Sequence, residues 1–110
     1  MEHLTWDEFE KVELRTATIL RVEPFPEARK PAYKLWLDVG GVEKFSTAQI
    51  TARYGAEELV GKQVIVVTNF APKRIGPALS EVLVTGFYDT DGSVVLAVPD
   101  KPVPNGLKLG

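Results

Sequence analysis

A run of alternating residues between positions 12 and 23 constrains the fold of this chain more than any other feature. Every second residue from Val12 to Val22 is apolar or Thr, and four of the six intervening positions are charged. Period two is the spacing of a β-strand. Twelve residues are long for one strand, so we expect a bend or a bulge within it. A chain organised around such a strand is predicted to be mostly β.

Proline and glycine divide the remainder into shorter elements. Thr5 to Glu8 fits a capping box that starts a short helix ending near Lys11. Gly40-Gly41 and Asp89 to Gly92 are typical of hairpin turns. Further strands are predicted over residues 33–39, 42–50, 62–70, 81–88 and 93–98, with one helical turn over 56–60 closed by Gly61.

These elements predict an all-β fold with short helices in which residues 1–110 form a single domain. A short helix between the third and fourth strands is the arrangement of the OB-fold, a five-stranded, partly closed barrel. The N-terminal helix precedes the barrel. The tail from Pro99 to Gly110 is rich in Pro but keeps Val103, Leu107 and Leu109. We expect it to be an extended arm on an apolar surface, with a partner subunit as one possible surface.

Composition argues against catalysis. The 110 residues include no Cys and one His, His3, and have a net charge of −2. Thiol chemistry, a Ser-His-Asp triad in a rigid core and a Cys or His metal site are therefore not expected. No Gly-rich phosphate loop of nucleotide-binding enzymes is present. We expect no enzymatic activity, no cofactor and no metal. Neither a signal peptide nor a membrane-inserted segment is expected, and a reducing cytoplasm suits a chain without Cys.

Charge is distributed unevenly along the chain. Residues 1–27 carry seven acidic and three basic residues, whereas residues 28–80 carry four acidic and eight basic residues. This polarity permits a local positive face on an acidic protein. Lys73 and Arg74 follow Asn69 and a proline, between two predicted strands, so they are expected to form a basic loop that contacts phosphate.

The order of several motifs resembles the tRNA-binding domain that is appended to some methionyl- and phenylalanyl-tRNA synthetases. Within that family the resemblance is greatest to the CsaA-type chaperones, over about residues 9–110. The segments that carry the family resemblance are 25–30, 33–40, 54–61, 69–74 and 80–81, and those that resemble the CsaA branch in particular are 25–35, 46–51 and 102–106. One motif departs from the family pattern: Gly76 stands four residues before Ser80, and Val82-Leu83 replaces the usual Gly-Met.

The resemblance implies an OB-fold homodimer that binds tRNA without catalysis. For the CsaA branch it also implies a chaperone role towards unfolded or secretory preprotein segments. On this basis the candidate nucleic-acid-binding residues are Lys73, Arg74, Asn69, Ser80, Glu81, Arg53, Lys34 and Gln49. Arg53, Lys34, Arg29 and Lys30 are expected to be rim cations that raise affinity without specificity, and Gln49 is expected either to read a base or to cap a strand end. The candidate peptide-binding or dimer-interface residues are Trp6, Phe9, Trp36, Val103 and Leu107.

Other interpretations of these residues stay open. Asn69 and Ser80 are also typical of strand ends, where their side chains bond nearby backbone groups. Trp6 and Phe9 are expected to pack in the core of the domain, with an interface or a peptide groove as the alternative. Trp36 is predicted to face away from Leu35 and Leu37, either to stack on RNA or to lie in a subunit interface. A purely structural dimerisation domain is a third hypothesis.

Overall fold

The structure is a computed structural model that describes residues 2–110, within which the chain forms two helices and nine strands. The helices are α1 (Trp6–Glu10) and α2 (Ala56–Leu59). The strands are β1 (Leu14–Pro24), β2 (Tyr33–Asp38), β3 (Glu43–Ala48), β4 (Gln63–Val67), β5 (Lys73–Ile75), β6 (Ala78–Ser80), β7 (Leu83–Val84), β8 (Gly86–Tyr88) and β9 (Val94–Leu96).

The long strand β1 is shared by the two sides of the main sheet. Residues 14–18 of β1 pair with β4, and residues 18–24 pair with β2, both antiparallel. The register with β2 shifts between Ile19 and Arg21, which leaves Leu20 as the extra residue of a bulge. The predicted irregularity is therefore confirmed, and it bends β1 so that one strand can serve both sides.

A nearly closed barrel results from the strand order β3-β2-β1-β4-β7. Its open seam lies between β3 and the residues that precede β7. The Glu81 N–H donates to the Phe45 carbonyl at 2.8 Å, and the Glu81 carboxylate accepts the Phe45 N–H at 2.9 Å. The mostly β architecture with short helices is that of an OB-like fold, as the sequence predicted.

The core fills the interior of this barrel. Ile19, Leu35, Leu37, Val64 and Val66 have no exposed surface. Before the bulge, the side of β1 that enters the core is the one with Ala17 and Ile19. The opposite side carries the apolar alternation of Leu14 to Leu20, and its Leu20 is 46% exposed. Periodicity alone finds the strand but does not decide which of its faces is inward.

Helix α1 begins at the predicted residue, but its aromatic side chains do not pack as predicted. Thr5 and Glu8 form the reciprocal capping box, and Lys11 is the C-cap. The expectation that Trp6 packs in the core is wrong, since 83% of its side chain is exposed. Phe9 is half-buried. None of the five residues of this helix is fully buried.

The predicted turns are confirmed. Gly40 and Gly41 both have positive φ, 71° and 90°, and the Val39 N–H donates to the Val42 carbonyl across them. The turn at residues 89–92 joins β8 to β9. The strand predicted over 62–70 covers only Gln63–Val67, and the strand predicted over 81–88 is divided into β7 and β8, which pair with different strands.

The C-terminal arm is extended and lies on β1 of its own chain. Gly106 and Leu109 donate N–H bonds to the carbonyls of Thr16 and Leu14, at 2.7 and 2.8 Å. An apolar surface was expected beneath the arm. Instead, the arm forms backbone hydrogen bonds with residues 14–16 of β1, which β2 leaves unpaired.

Candidate nucleic-acid interface

A cleft of ≈ 1010 Å³ lies between the β1–β2 loop and the β5–β6 hairpin. Three parts of the chain line it. They are residues 27–30 and 32 of the β1–β2 loop, 47–49 at the end of β3, and 70–71, 73, 75–76 and 80–83 around the hairpin. Pro26 and Pro31 lie in the same loop and Pro24 ends β1, so the backbone of that loop is restricted.

Lys73 and Arg74 lie on strand β5, so the predicted basic loop is one arm of a hairpin. Lys73 pairs with Ser80 and Arg74 with Leu79, and the turn between β5 and β6 begins at Gly76, whose φ is 55°. Successive side chains of a strand point to opposite sides. Lys73 accordingly lines the cleft, whereas Arg74 is exposed and is not part of the lining.

The cations around this cleft are free of ion pairs. Within residues 2–110, no carboxylate lies within 4.0 Å of Arg29, Lys30, Lys73 or Arg74. Of the nine Lys and Arg residues elsewhere on the molecule, five are paired with carboxylates. An unpaired cation keeps its full charge for an external anion. The cleft also contains two acids, Glu27 and Glu81, which limit its net charge.

Ser80 and Glu81 line the cleft while they close the barrel. The Ser80 hydroxyl accepts the Thr47 N–H at 3.3 Å. Glu81 forms hydrogen bonds with both the N–H and the carbonyl of Phe45. The second oxygen of the Glu81 carboxylate lies 4.0 Å from the Lys44 ammonium. These residues are therefore structural in the free protein, which agrees with the strand-end interpretation.

Asn69 connects the end of β4 to the segment after α1. Its side-chain carbonyl accepts the Glu13 N–H at 3.0 Å, and its NH₂ group donates to the Lys11 carbonyl at 2.6 Å. Both halves of the amide are engaged by backbone, and Asn69 does not line the cleft. Its neighbour Phe70 does, with 59% of its side chain exposed.

Arg53 lies at a different place, against the β8–β9 turn. Its guanidinium pairs with Asp89 and donates to the Ser93 hydroxyl at 2.8 Å. A hydrogen bond from the Thr90 N–H, together with the charge of Arg53, holds the pKa of Asp89 below its usual range. Hydrogen bonds from Ser93 lower the pKa of Asp91 in the same way. The charge of Arg53 is thus already neutralised by this turn.

The structure places Gln49 in the cleft and Lys34 outside it. Gln49 lines the cleft and is exposed. Lys34 is outside the lining, on β2, with its ammonium 5.2 Å from the centre of the Phe25 ring. Trp36 faces outward as predicted, between the buried Leu35 and Leu37.

The other candidate interface residues are spread around the molecule. The half-buried Val103 exchanges hydrogen bonds with the Gln63 side chain, and Leu107, 47% exposed, lies on the arm. Trp6 and Phe9 are on α1. These four residues do not line the cleft, so the structure separates them from the cationic surface.

Sequence reasoning missed the apolar part of the cleft. Ala28, Ala32, Ile75, Val82 and Leu83 line it beside the cations. They come from segments far apart in sequence, and no periodic signal links them. In the described residues there is no group of three or more His, Asp or Glu side chains placed to hold a metal. None of the helices in residues 2–110 has the length and hydropathy to cross a membrane.

Residues 14–108 match the family described as "Putative tRNA binding domain". Among curated proteins the chain is similar to methionine–tRNA ligase 1 of Bacillus anthracis, with 38% identity over 98% of this chain and 16% of the ligase. Across the methionine–tRNA ligases it resembles, the chain spans between 14% and 17% of their length.

Two solved structures are similar over the whole chain. A chaperone CsaA from Bacillus anthracis superposes with a TM-score of 0.93 and 43% identity, covering 99% of this chain and 100% of that chain. A CsaA chaperone protein from Picrophilus torridus gives 0.90 and 44%, covering 98% of this chain and 100% of that chain.

Proposed function

Because this chain belongs to the family of tRNA-binding domains, we propose that residues 1–110 act as one non-catalytic module that binds tRNA through the cleft. Phosphates contact the unpaired cations Arg29, Lys30 and Lys73, with Arg74 on the outer side of the hairpin. The single observation that carries this proposal is the freedom of these four cations from carboxylate partners. A module that binds tRNA would act in the cytoplasm, where tRNA is used.

The geometry of the cleft supports recognition of shape more than of sequence. Two rigid walls carry the cations: a proline-restricted loop and a β-hairpin. Phosphate contacts at fixed positions orient a nucleic acid without reading its bases. The exposed ring of Phe70 offers a surface for one stacked base. Ser80, Gln49 and Glu81 are the polar groups of the lining that reach a base edge, if the Glu81 contacts with β3 rearrange.

We also propose that the protein acts as a homodimer. Leu4 and Trp6 are 66% and 83% exposed at the N-terminal helix, and Phe87 and Tyr88 are 67% and 85% exposed on β8. Large apolar side chains so exposed are typical of an interaction site. A dimer carries two clefts, and simultaneous engagement of one tRNA by both raises affinity through effective concentration.

The test is the affinity for total tRNA as a function of salt, measured by fluorescence anisotropy. We expect micromolar or tighter binding that weakens steeply as salt rises, with a slope of roughly 0.7–0.9 per phosphate contact. An absence of binding at low salt would reject the proposal.

A second candidate is a CsaA-type chaperone activity towards unfolded or secretory preprotein segments, and the apolar lining of the cleft favours it. Phe70, Ile75, Val82 and Leu83 form a surface on which an extended apolar segment can pack. The exposed Trp6 side chain on α1 adds a second apolar surface. The test is the aggregation rate of an unfolded protein with and without this one. A rate that does not change removes this candidate, and competition by tRNA would place both ligands in the cleft.

A further inference from the structure

Arg21 and Trp36 form a layered pair on the outer face of the sheet. The central carbon of the Arg21 guanidinium lies 3.8 Å from the centre of the Trp36 ring. The Phe45 ring meets the indole edge-on, with centroids 5.2 Å apart at 63°. The Arg21 side chain is 60% exposed. One face of the guanidinium therefore covers the indole, while the side chain remains largely open to solvent.

The strand register fixes this cluster. Arg21 stands opposite Trp36, and Trp36 stands opposite Phe45, so the three side chains form one row across β1, β2 and β3. The bulge at Leu20 decides which residue of β1 enters the row. Without the register shift, Leu20 rather than Arg21 would face Trp36. The bulge thus places a planar cation on an aromatic ring at a rigid position.

The row adjoins the cationic cleft. The next outward-facing row on the same strands is Glu23, Lys34 and Thr47. Thr47 lines the cleft, and it lies two residues, roughly 7 Å, along β3 from Phe45. A single strand of RNA that leaves the cleft over Thr47 and follows β3 meets Phe45, beside which Trp36 and Arg21 lie on β2 and β1.

We propose that Arg21, Trp36 and Phe45 form a stacking site for one unpaired nucleobase of the RNA whose phosphates lie in the cleft. This inference rests on the proposed function. The base lies on the outer face of the Arg21 guanidinium, which is already layered on the indole. Arginine planes and aromatic rings both stack on nucleobases. Since stacking uses the π-face that every base has, the site accepts any base.

A protein segment fits this surface less well. On one side of the row formed by Arg21, Trp36 and Phe45 lie Asp38 and Glu43, and on the other side lie Glu23 and Lys34. Only two aromatic side chains lie between these charged rows, which is a small area for an apolar segment to bury. The ion pair between Arg21 and Glu23, at 3.4 Å, is exposed and therefore weak enough to be exchanged for a stacked base.

The experiment uses a Trp6→Phe variant, which leaves Trp36 as the single indole of the chain. Labelled total tRNA is titrated while its anisotropy and the Trp36 emission are recorded together. We expect the emission to change with the same midpoint as the anisotropy. A blunt RNA duplex without unpaired bases is the matched probe, and it should bind without changing the emission.

Two variants test the residues. Arg21→Lys keeps the positive charge but removes the planar guanidinium that covers the indole. We therefore expect tRNA to bind about 5-fold more weakly or worse. The salt slope should not change, because the charge is kept. Trp36→Leu removes the ring beneath and should weaken binding by a similar factor, and a thermal unfolding curve checks that it folds. Arg21→Lys is a surface change that keeps the fold.

The outcomes separate this inference from the proposed function. Binding of tRNA with no change in Trp36 emission, and with unchanged affinity in both variants, would overturn the stacking site alone. Failure of tRNA to bind at any salt would overturn both. A change of emission with an unfolded peptide but not with tRNA would assign the row to protein binding and overturn the inference.

Discussion

Lys73 and Arg74 are adjacent in sequence but lie on opposite sides of β5. Only Lys73 lines the cleft. The sequence identified both cations, yet it grouped them as one basic loop because nothing in their local pattern predicts a three-residue strand. The strand alternation, which requires the pairing partner β6, is what assigns them different environments.

We expect Lys73→Ala to weaken tRNA binding and to lower the salt slope by about 0.7–0.9, since one phosphate contact is lost. Arg74→Ala should have the smaller effect, because its side chain points away from the cleft. Lys101→Ala is the control, as it removes the same charge outside the cleft. Anisotropy titrations at several salt concentrations measure all three. Equal losses for Lys73→Ala and Lys101→Ala would mean that net charge, not the cleft, determines binding.

Glu81 shows a limit of residue-level reasoning. Its position in a family motif suggested a base contact, whereas the structure shows its carboxylate accepting the Phe45 N–H across the barrel seam. A carboxylate that replaces a strand partner has no signature in the sequence. The same is true of Asn69, whose two backbone contacts are 56 and 58 residues away.

At the scale of elements, the C-terminal arm is held by a close approach of two glycines. Gly106 has a φ of 86°, and a Cβ placed on it would lie 3.1 Å from the Gly40 Cα. The Asn105 side chain accepts hydrogen bonds from Thr18 and Gln63 beside this contact. The β2–β3 turn and the arm therefore interlock.

Gly106→Ala should destabilise the protein by about 1–3 kcal/mol, because the positive φ and the contact with Gly40 both disfavour a side chain. Faster hydrogen exchange is expected at the Leu109 N–H, which bonds to β1. Gly110→Ala is the matched control, since a Cβ there meets nothing within 4 Å. Denaturant unfolding and hydrogen exchange measure the two effects. Equal stability of the two variants would contradict the interlock.

The β8–β9 hairpin is stabilised by ionised carboxylates. The lowered pKa values of Asp89 and Asp91 mean that their contribution to stability is present above their unfolded values, near 3.9. It is lost as pH falls through the lower pKa of the folded state. We expect the Asp89→Asn/Asp91→Asn variant to be less stable than the wild type at pH 7. The difference between the two proteins should shrink towards pH 2. Thermal unfolding across this pH range measures it, and a constant difference would argue against the ionised turn.

At the scale of the whole molecule, the structure separates two surfaces. The cleft carries unpaired cations, and the N-terminal helix carries exposed apolar side chains. The sequence identified Arg29, Lys30 and Lys73 of the cleft and the candidate residues of α1. It assigned Trp6 first to the core, because the three-residue spacing to Phe9 is also the spacing of a buried helix face.

Trp6→Ser should shift the proposed dimer towards monomer, since it removes the most exposed apolar side chain of α1. Sedimentation velocity at several concentrations measures the change. Val42→Ser, at a 54% exposed apolar residue beside the β2–β3 turn, is the control and should leave the assembly unchanged. A wild-type protein that sediments as a monomer at all concentrations would reject the dimer, and tRNA binding would then be tested on the single cleft.

The sequence by itself determined most elements of this protein: the long irregular strand β1, the capping box, the glycine turns and the main strands of an OB-like barrel, but not the β5–β6 hairpin. These features depend on interactions within a few residues, so a local pattern specifies them. The tertiary structure alone decided which face of β1 is buried, which cations remain unpaired and where the arm lies. Those outcomes depend on pairing between segments that are 20 to 100 residues apart, because a register shift of one residue exchanges the two faces of a strand. The cleft belongs to this second group, and so does the row in which Arg21 meets Trp36.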